Sequence, residues 1–300
     1  MRSTVAILGT GLIGTSLGLA LVRDRKERSR FISTAAASKN RERIVGWDVR
    51  PSNGRAALKR GGIAAIANSM EEAVRDAGVV VIATPLDAAI KLAPRVIGAA
   101  PKGSLIIDVT PVKAPMLRAT RAALRKRPDI SYISAHPMAG REKGGAANAD
   151  SDLFKDRPFA LIQLTSNRRN ADTRAVRLVK RVGARPVTMT AKAHDRAVAA
   201  MSALPQLASI ALALAASQSG GKAAAKLAGP GFGDATRLAM SPYDIWKPAL
   251  TANQRHIGRG LCELERTVAR LARAARQEDV RAMERLFSKA RSARKRVVGG

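Results

Sequence analysis

The chain has 300 residues, 46% of them hydrophobic, which suffices for a substantial core and about two domains. Its 53 Lys and Arg against 23 Asp and Glu give a formal net charge of +30. Such a surface attracts anions broadly, but the basic residues are spread along the chain, and aromatics at 3% are too few to interleave as a base-stacking platform, so nucleic acid is expected to bind only non-specifically. The single cysteine, Cys262, excludes an internal disulfide framework and suits a reducing, cytoplasmic compartment. No Cys/His cluster has metal-ligand spacing, so no metal is expected.

Near the N-terminus, Val5-Ala6-Ile7-Leu8 reads as a buried strand. It runs into Gly9-Thr10-Gly11-Leu12-Ile13-Gly14, and apolar residues continue at helical spacing through Leu17, Leu19, Leu21 and Val22. This strand–turn–helix is the context a dinucleotide fingerprint requires. Gly9 permits the tight turn, Gly11 lets the backbone approach a pyrophosphate, and Gly14 allows close helix–strand packing, with Leu12 and Ile13 opening the helix. The pyrophosphate belongs at that helix N-terminus, where free N–H groups favour an anion. A rival reading is a secretory signal, with Arg2 before the apolar run and Ala35-Ala36-Ala37 as a cleavage site, but the charged run from Arg23 to Arg30 interrupts it.

Residues 23–41 read as a polar, exposed extension. Strand Arg43 to Trp47 follows and ends in Asp48, an acid placed to accept from a ribose diol and repel a 2′-phosphate, favouring NAD over NADP. The usual interval of ~20 residues from the fingerprint points instead to Asp24, which no strand precedes, so Asp48 is the better candidate. Arg50 softens the NAD preference. The alternation continues with helix 71–77, strand 79–84 closed by Pro85, helix 88–97, strand 104–109, helix 115–127, and strand 130–135. Beyond these come strand 159–164, helix 173–181 and strand 185–189. Alternating strands and helices imply an α/β fold with a doubly wound parallel sheet of Rossmann type. Ligands bind beyond the carboxyl ends of such strands, which singles out Thr84 and Pro85 for the cofactor, Thr110 to Lys113, and His136 to Glu142.

From Lys192 the chain becomes Ala/Leu-rich and helical, over 194–216, 222–227, 242–257 and 261–295. The expected division is a dinucleotide-binding domain at 1–189 and an all-α substrate and dimerisation domain at 190–300. The apolar piece 207–216 is too short to span a bilayer, so no membrane contact is expected. Helices this long and apolar are expected to bury a face in a homodimer. Of three histidines, His136 sits at the sheet's carboxyl edge, where an imidazole beside a nicotinamide can take a hydroxyl proton; a loop histidine capping a turn before Pro137 is the plain alternative. His194, in His194-Asp195, reads as a capping or orienting residue.

Taken together the motifs resemble the prephenate/arogenate dehydrogenase family. The matching runs are Gly9-x-Gly11-Leu12-x-Gly14-x-Ser16-Leu17, Asp108-x-x-x-Val112-Lys113, His136-Pro137-Met138-Ala139-Gly140-x-Glu142-x-x-Gly145, His194-Asp195, Ser202-x-Leu204-Pro205 and Gly231-Phe232-x-Asp234-x-Thr236-Arg237, with Trp246 and Asn253 beyond. The resemblance implies NAD-dependent oxidative decarboxylation of a cyclohexadienyl acid in tyrosine biosynthesis. His136 would accept the hydroxyl proton, and Arg237 would hold the ring carboxylate through a fork-shaped contact. Glu142 would pair with that arginine and gate the pocket, while Lys113 and Arg141 would lie beside the substrate. The chain departs from the family where Pro111 replaces a serine, and Thr110 is expected to substitute for it. In place of Ser-His-x-Pro-His stands Ser202-Ala203-Leu204-Pro205-Gln206, leaving Gln206 to donate to a substrate oxygen. Arg141 stands where relatives carry a small polar residue and favours prephenate's extra carboxylate over arogenate's zwitterion. Two other functions compete: another Rossmann-fold hydroxyacid or imine dehydrogenase, and a non-catalytic basic nucleotide- or nucleic-acid-binding protein.

Overall fold

A computed structural model describes residues 4–29, 42–141, 143–162 and 169–298. They form two compact units, one from 1–198 with 241–252 and the other from 199–240 with 253–300.

The first unit is an eight-stranded sheet in the order β3-β2-β1-β4-β5-β6-β7-β8. Its strands are β1 (Thr4–Leu8), β2 (Arg43–Trp47), β3 (Ala65–Ile66), β4 (Ala77–Ile82), β5 (Leu105–Asp108), β6 (Ser131–Pro137), β7 (Pro158–Ile162) and β8 (Arg185–Met189). The first six are parallel. Strand β7 runs antiparallel to β6, and β8 parallel to β7, so the sheet is mostly rather than wholly parallel. Apolar residues cover both faces, as a parallel sheet demands. Val5 and Ile7 of β1 join one buried cluster with Leu17 and Leu21 of α1 (Leu12–Ser29), while Ala6 and Leu8 join the opposite one with Leu86 and Val96. Each fully buried Leu or Ile there stabilises the fold by roughly 2 kcal/mol.

The remaining helices of this unit are α2 (Pro51–Lys59), α3 (Met70–Val74), α4 (Leu86–Ala99), α5 (Lys113–Lys126), α6 (Arg169–Arg181), α7 (Ala191–Val198) and, after an excursion into the second unit, α11 (Tyr243–Ala252). Helix α2 and strand β3 have no counterpart in the sequence reading, because β3 pairs over two residues only. Residues 23–29, expected as the start of an exposed extension, are instead the last turns of α1. Arg23 pairs with Asp152 and, at i,i+4, with Glu27, and Arg181 of α6 holds Asp24 at 2.8 Å and Glu42 at 2.5 Å. The rest of that segment, 30–41, lies outside the described residues, as do 163 and 164 of the strand expected over 159–164.

The second unit is helical: α8 (Leu204–Ser219), α9 (Gly221–Leu227), α10 (Pro230–Thr236), α12 (Gln254–Arg276) and α13 (Val280–Val298). The single helix expected over 261–295 is broken, because Glu278 takes a left-handed φ of 52° and Asp279 caps the next helix, accepting from Ala282 N at 2.8 Å. A π-helical turn, Ala199–Ala203, joins α7 to α8. The whole run Ala191–Ser219 is 29 residues with a mean hydropathy of 1.8 over its most apolar window, and 28% of that window is buried. By length and composition it is long enough to cross a membrane, which corrects the shorter segment read from the sequence.

Two fingerprint glycines are demanded by packing. Gly9 has φ +94°, and a Cβ there would lie 2.6 Å from Ala83 O; a Cβ on Gly14 would lie 2.0 Å from Gly9 O. A methyl on Gly11 meets nothing within 4 Å. Gly14→Ala is therefore expected to lower stability by about 2–3 kcal/mol and Gly11→Ala to leave it within about 0.5 kcal/mol, as read by urea unfolding of the two variants.

Candidate active site

The fingerprint loop, β2 and β4 end at one edge of the sheet and form a cradle for a dinucleotide. Gly11 leaves open space at the start of α1, so a pyrophosphate can approach the backbone there. Asp48, just past β2, accepts from Thr10 N at 2.8 Å and Arg50 N at 2.9 Å, with Asn53 Nδ2 at 3.2 Å. These donors hold its carboxylate at the edge where a ribose belongs. Asp24 is occupied by Arg181 and lies on α1. The hydroxyl of Thr84, past β4, is buried with no hydrogen-bond partner among the described residues, a polar atom left for a ligand. Pro85 follows it and precedes α4. The residues present fit a dinucleotide.

Beside this cradle lies a fully buried ion pair. Lys113 Nζ donates to Asp108 Oδ1 at 3.0 Å, Thr110 Oγ1 at 3.2 Å and Ala135 O at 2.6 Å, so its three protons meet three acceptors. Asp108 also accepts from Thr110 Oγ1 at 2.6 Å and Tyr132 OH at 2.7 Å. Against the cost of burial, Lys113 and the hydroxyls hold the Asp108 carboxyl below its usual range, while burial draws the Lys113 ammonium below its own. Lys113 and Thr110 are 0% and 1% exposed. The ammonium, expected beside the substrate, is saturated by protein acceptors, and the Thr110 hydroxyl, expected to stand in for a serine, gives its proton to Asp108.

His136 lies within β6, one residue beyond the carbonyl that Lys113 grips. Its Nδ1 is 3.1 Å from Nε2 of His194, whose Nδ1 is 2.8 Å from Asp195 Oδ1. Asp195 also accepts from the backbone N–H of Lys113 at 2.8 Å and of Ala114 at 2.9 Å. Val112, the N-cap residue of α5, has no capping side chain. The carboxylate of α7 fills that role, where an anion meets the positive end of a helix. Thr190 in turn caps α7, accepting from Ala193 N at 3.2 Å. Burial and the Lys113 ammonium hold the His136 imidazole well below the usual histidine value, so it is a neutral base near pH 7.

Other expected residues are placed less directly. Arg141 pairs with Asp150 beside Met138 and Asp152, so its charge is already matched. Glu142 lies outside the described residues. Gln206 and Arg237 belong to the second unit. Gln206 is buried and donates through Nε2 to Leu238 O at 2.8 Å, leaving Oε1 with no partner among the described residues. The expected donor is thus partly spent on the backbone next to Arg237. Arg237 begins the 3₁₀ turn Arg237–Met240 and is exposed. Sequence reasoning missed the roles of Asp195 and Tyr132; the one available signal was an acid directly after His194.

The family model for the prephenate dehydrogenase nucleotide-binding domain matches residues 34–188, and that for the prephenate dehydrogenase dimerization domain matches 190–289. The chain is 27% identical to the prephenate dehydrogenase of Bacillus subtilis over 297 residues, covering 98% of this chain and 76% of that protein. It is 29% identical to a probable prephenate dehydrogenase of Streptomyces niveus, covering 91% and 69%. Its fold is similar to that of Aquifex aeolicus prephenate dehydrogenase in complex with hydroxyphenyl propionate and NAD+, with a TM-score of 0.83, 21% identity, and 99% and 98% of the two chains covered.

Removing one partner of a buried ion pair leaves the other charge uncompensated. Lys113→Met is expected to cost about 3–5 kcal/mol of stability, and Lys113→Met with Asp108→Leu to recover part of it, as measured by chemical denaturation of both variants.

Proposed function

The chain belongs to the prephenate dehydrogenase family, and from that premise we propose that it is a cytoplasmic homodimer that oxidatively decarboxylates prephenate in tyrosine biosynthesis, with arogenate as the competing substrate. The cofactor is NAD, which accepts the hydride leaving the hydroxyl-bearing ring carbon. The observation that carries the reading is His136: a neutral imidazole at the sheet edge beside the dinucleotide cradle, its Nδ1 engaged by His194 and its Nε2 left for substrate.

The chemistry balances without a net proton. As the ring carbon is oxidised, His136 draws on the hydroxyl proton and stabilises the positive charge that develops there. Loss of carbon dioxide from the opposite carbon returns an electron pair to the ring, which becomes aromatic, and His136 gives the proton back to the phenolic oxygen. The protein's task is thus orientation and charge support. Arg237 is assigned the ring carboxylate, which a guanidinium binds in two parallel hydrogen bonds. Asp48 takes the adenosine ribose, and Gly9, Gly11 and Gly14, with the opening of α1, take the pyrophosphate. Since Arg141 is already paired with Asp150, its charge lends little to a choice between prephenate and arogenate; the names of the relatives favour prephenate. The dimer uses the helical half of the chain, whose matched domain is a dimerization domain and whose run 191–219 leaves apolar residues such as Leu212 and Leu214 exposed.

The test is NADH formation with each substrate. The wild-type protein is expected to turn over prephenate. His136→Asn should lower kcat by about 10²–10⁴-fold with little change in KM. Arg237→Gln should act mainly on KM, raising it by about 10–10²-fold. Because catalysis needs neutral His136 and its protonation is displaced downward, kcat/KM is expected to stay level as pH falls through 6.5 and to decline only below it. No turnover with either substrate would refute the assignment.

A further inference from the structure

Asp195 can only accept hydrogen bonds, and that fact fixes the protons along a line of three side chains. Its Oδ1, 2.8 Å from His194 Nδ1, requires a proton on that nitrogen. A neutral His194 then presents a bare Nε2 to His136 Nδ1 at 3.1 Å, so the proton of neutral His136 must sit on Nδ1 and its Nε2 must be the lone-pair nitrogen. We propose that Asp195 and His194 are positioning residues that set the tautomer of His136, so that the nitrogen facing substrate is always the basic one. This deepens the proposed function and rests on His136 being its base.

Burial supports the role. His194 and Asp195 are 1% and 3% exposed, so water does not compete for these contacts, and the rings meet edge to face with centroids 5.2 Å apart. The titratable groups facing His136 are the Lys113 ammonium on α5 and the His194 ring on α7, and that ammonium in turn faces the Asp108 and Asp195 carboxylates. Asp195 is itself immobilised by the two N–H groups that open α5, so the same carboxylate that caps the helix orients the base through an intervening ring.

Asp195→Asn places an amide that can donate toward His194 Nδ1. With the amide nitrogen in the place of Oδ1 the Lys113 N–H contact is given up, His194 reverses and donates from Nε2, and the His136 proton moves onto Nε2. Nitrogen-15 NMR of the imidazoles in the NAD-bound protein is expected to show His136 protonated at Nδ1 in the wild type and at Nε2 in Asp195→Asn, with kcat lower by about 10²–10⁴-fold and KM within about threefold. Since the substitution also weakens a helix cap, a second pair guards against a folding defect. Glutamine at 194 can offer Oε1 near the place of Nε2, whereas methionine cannot, so His194→Gln is expected to retain at least about tenfold more kcat than His194→Met at matched Tm. A wild-type His136 protonated at Nε2, a doubly protonated His194, or equal rates for the 194 pair would overturn the proposal. Absence of NADH formation by the wild type would instead defeat the functional reading, whatever the tautomers.

Discussion

Everything at the sheet's reactive edge depends on one ammonium group placed where no water reaches it. Lys113 joins three chain segments: its own helix α5, the end of β5 through Asp108 five residues before it, and the end of β6 through the carbonyl of Ala135. An ion pair at 0% exposure on both sides is costly to desolvate and adds little net stability over apolar packing. Its value lies in specificity, since a saturated ammonium admits one arrangement of the strand ends. That arrangement delivers the next residue, His136, in register, with Ala160 of β7 as its cross-strand partner. The same charge depresses protonation of the imidazole, so the group that positions the base also keeps it basic.

The Rossmann half was legible because its signals are local. A four-residue apolar strand, an acid at the end of β2 and three glycines at fixed spacing are local features, and at Gly9 and Gly14 the structure shows the packing demand directly, as the 2.0 Å approach at Gly14 illustrates. The reversal of β7 was not legible: an apolar strand buried on both faces has the same composition whichever way it runs. Helix ends were misjudged where breaks come from a single left-handed residue and a cap, as at Glu278 and Asp279.

Within the site, residue types were easier to read than their partners. His136 and Asp48 stand out by position past strand ends. Thr110 and Lys113 were recognised as belonging to the site, the one as a stand-in for a serine and the other beside the substrate, because a hydroxyl and an ammonium near a reactive histidine look like ligand contacts until their protons are counted. Asp195 contacts residues 82 and 81 positions away, and no local pattern announces a helix cap supplied from another helix. The charge of +30 has a plainer reading: much of it meets solvent, and it attracts anions broadly.

Pro111 is the departure that the geometry makes intelligible. Relatives commonly place a serine hydroxyl beside the histidine, and proline offers neither hydroxyl nor backbone N–H. The Asp108 oxygens already receive Thr110, Lys113 and Tyr132, and proline restricts the turn into α5. Orientation of His136 can then come from the opposite side, through His194, which is held by a carboxylate anchored on the first two N–H groups of that helix. The imidazole thus touches a second ring, and that ring is held from a helix rather than from the loop.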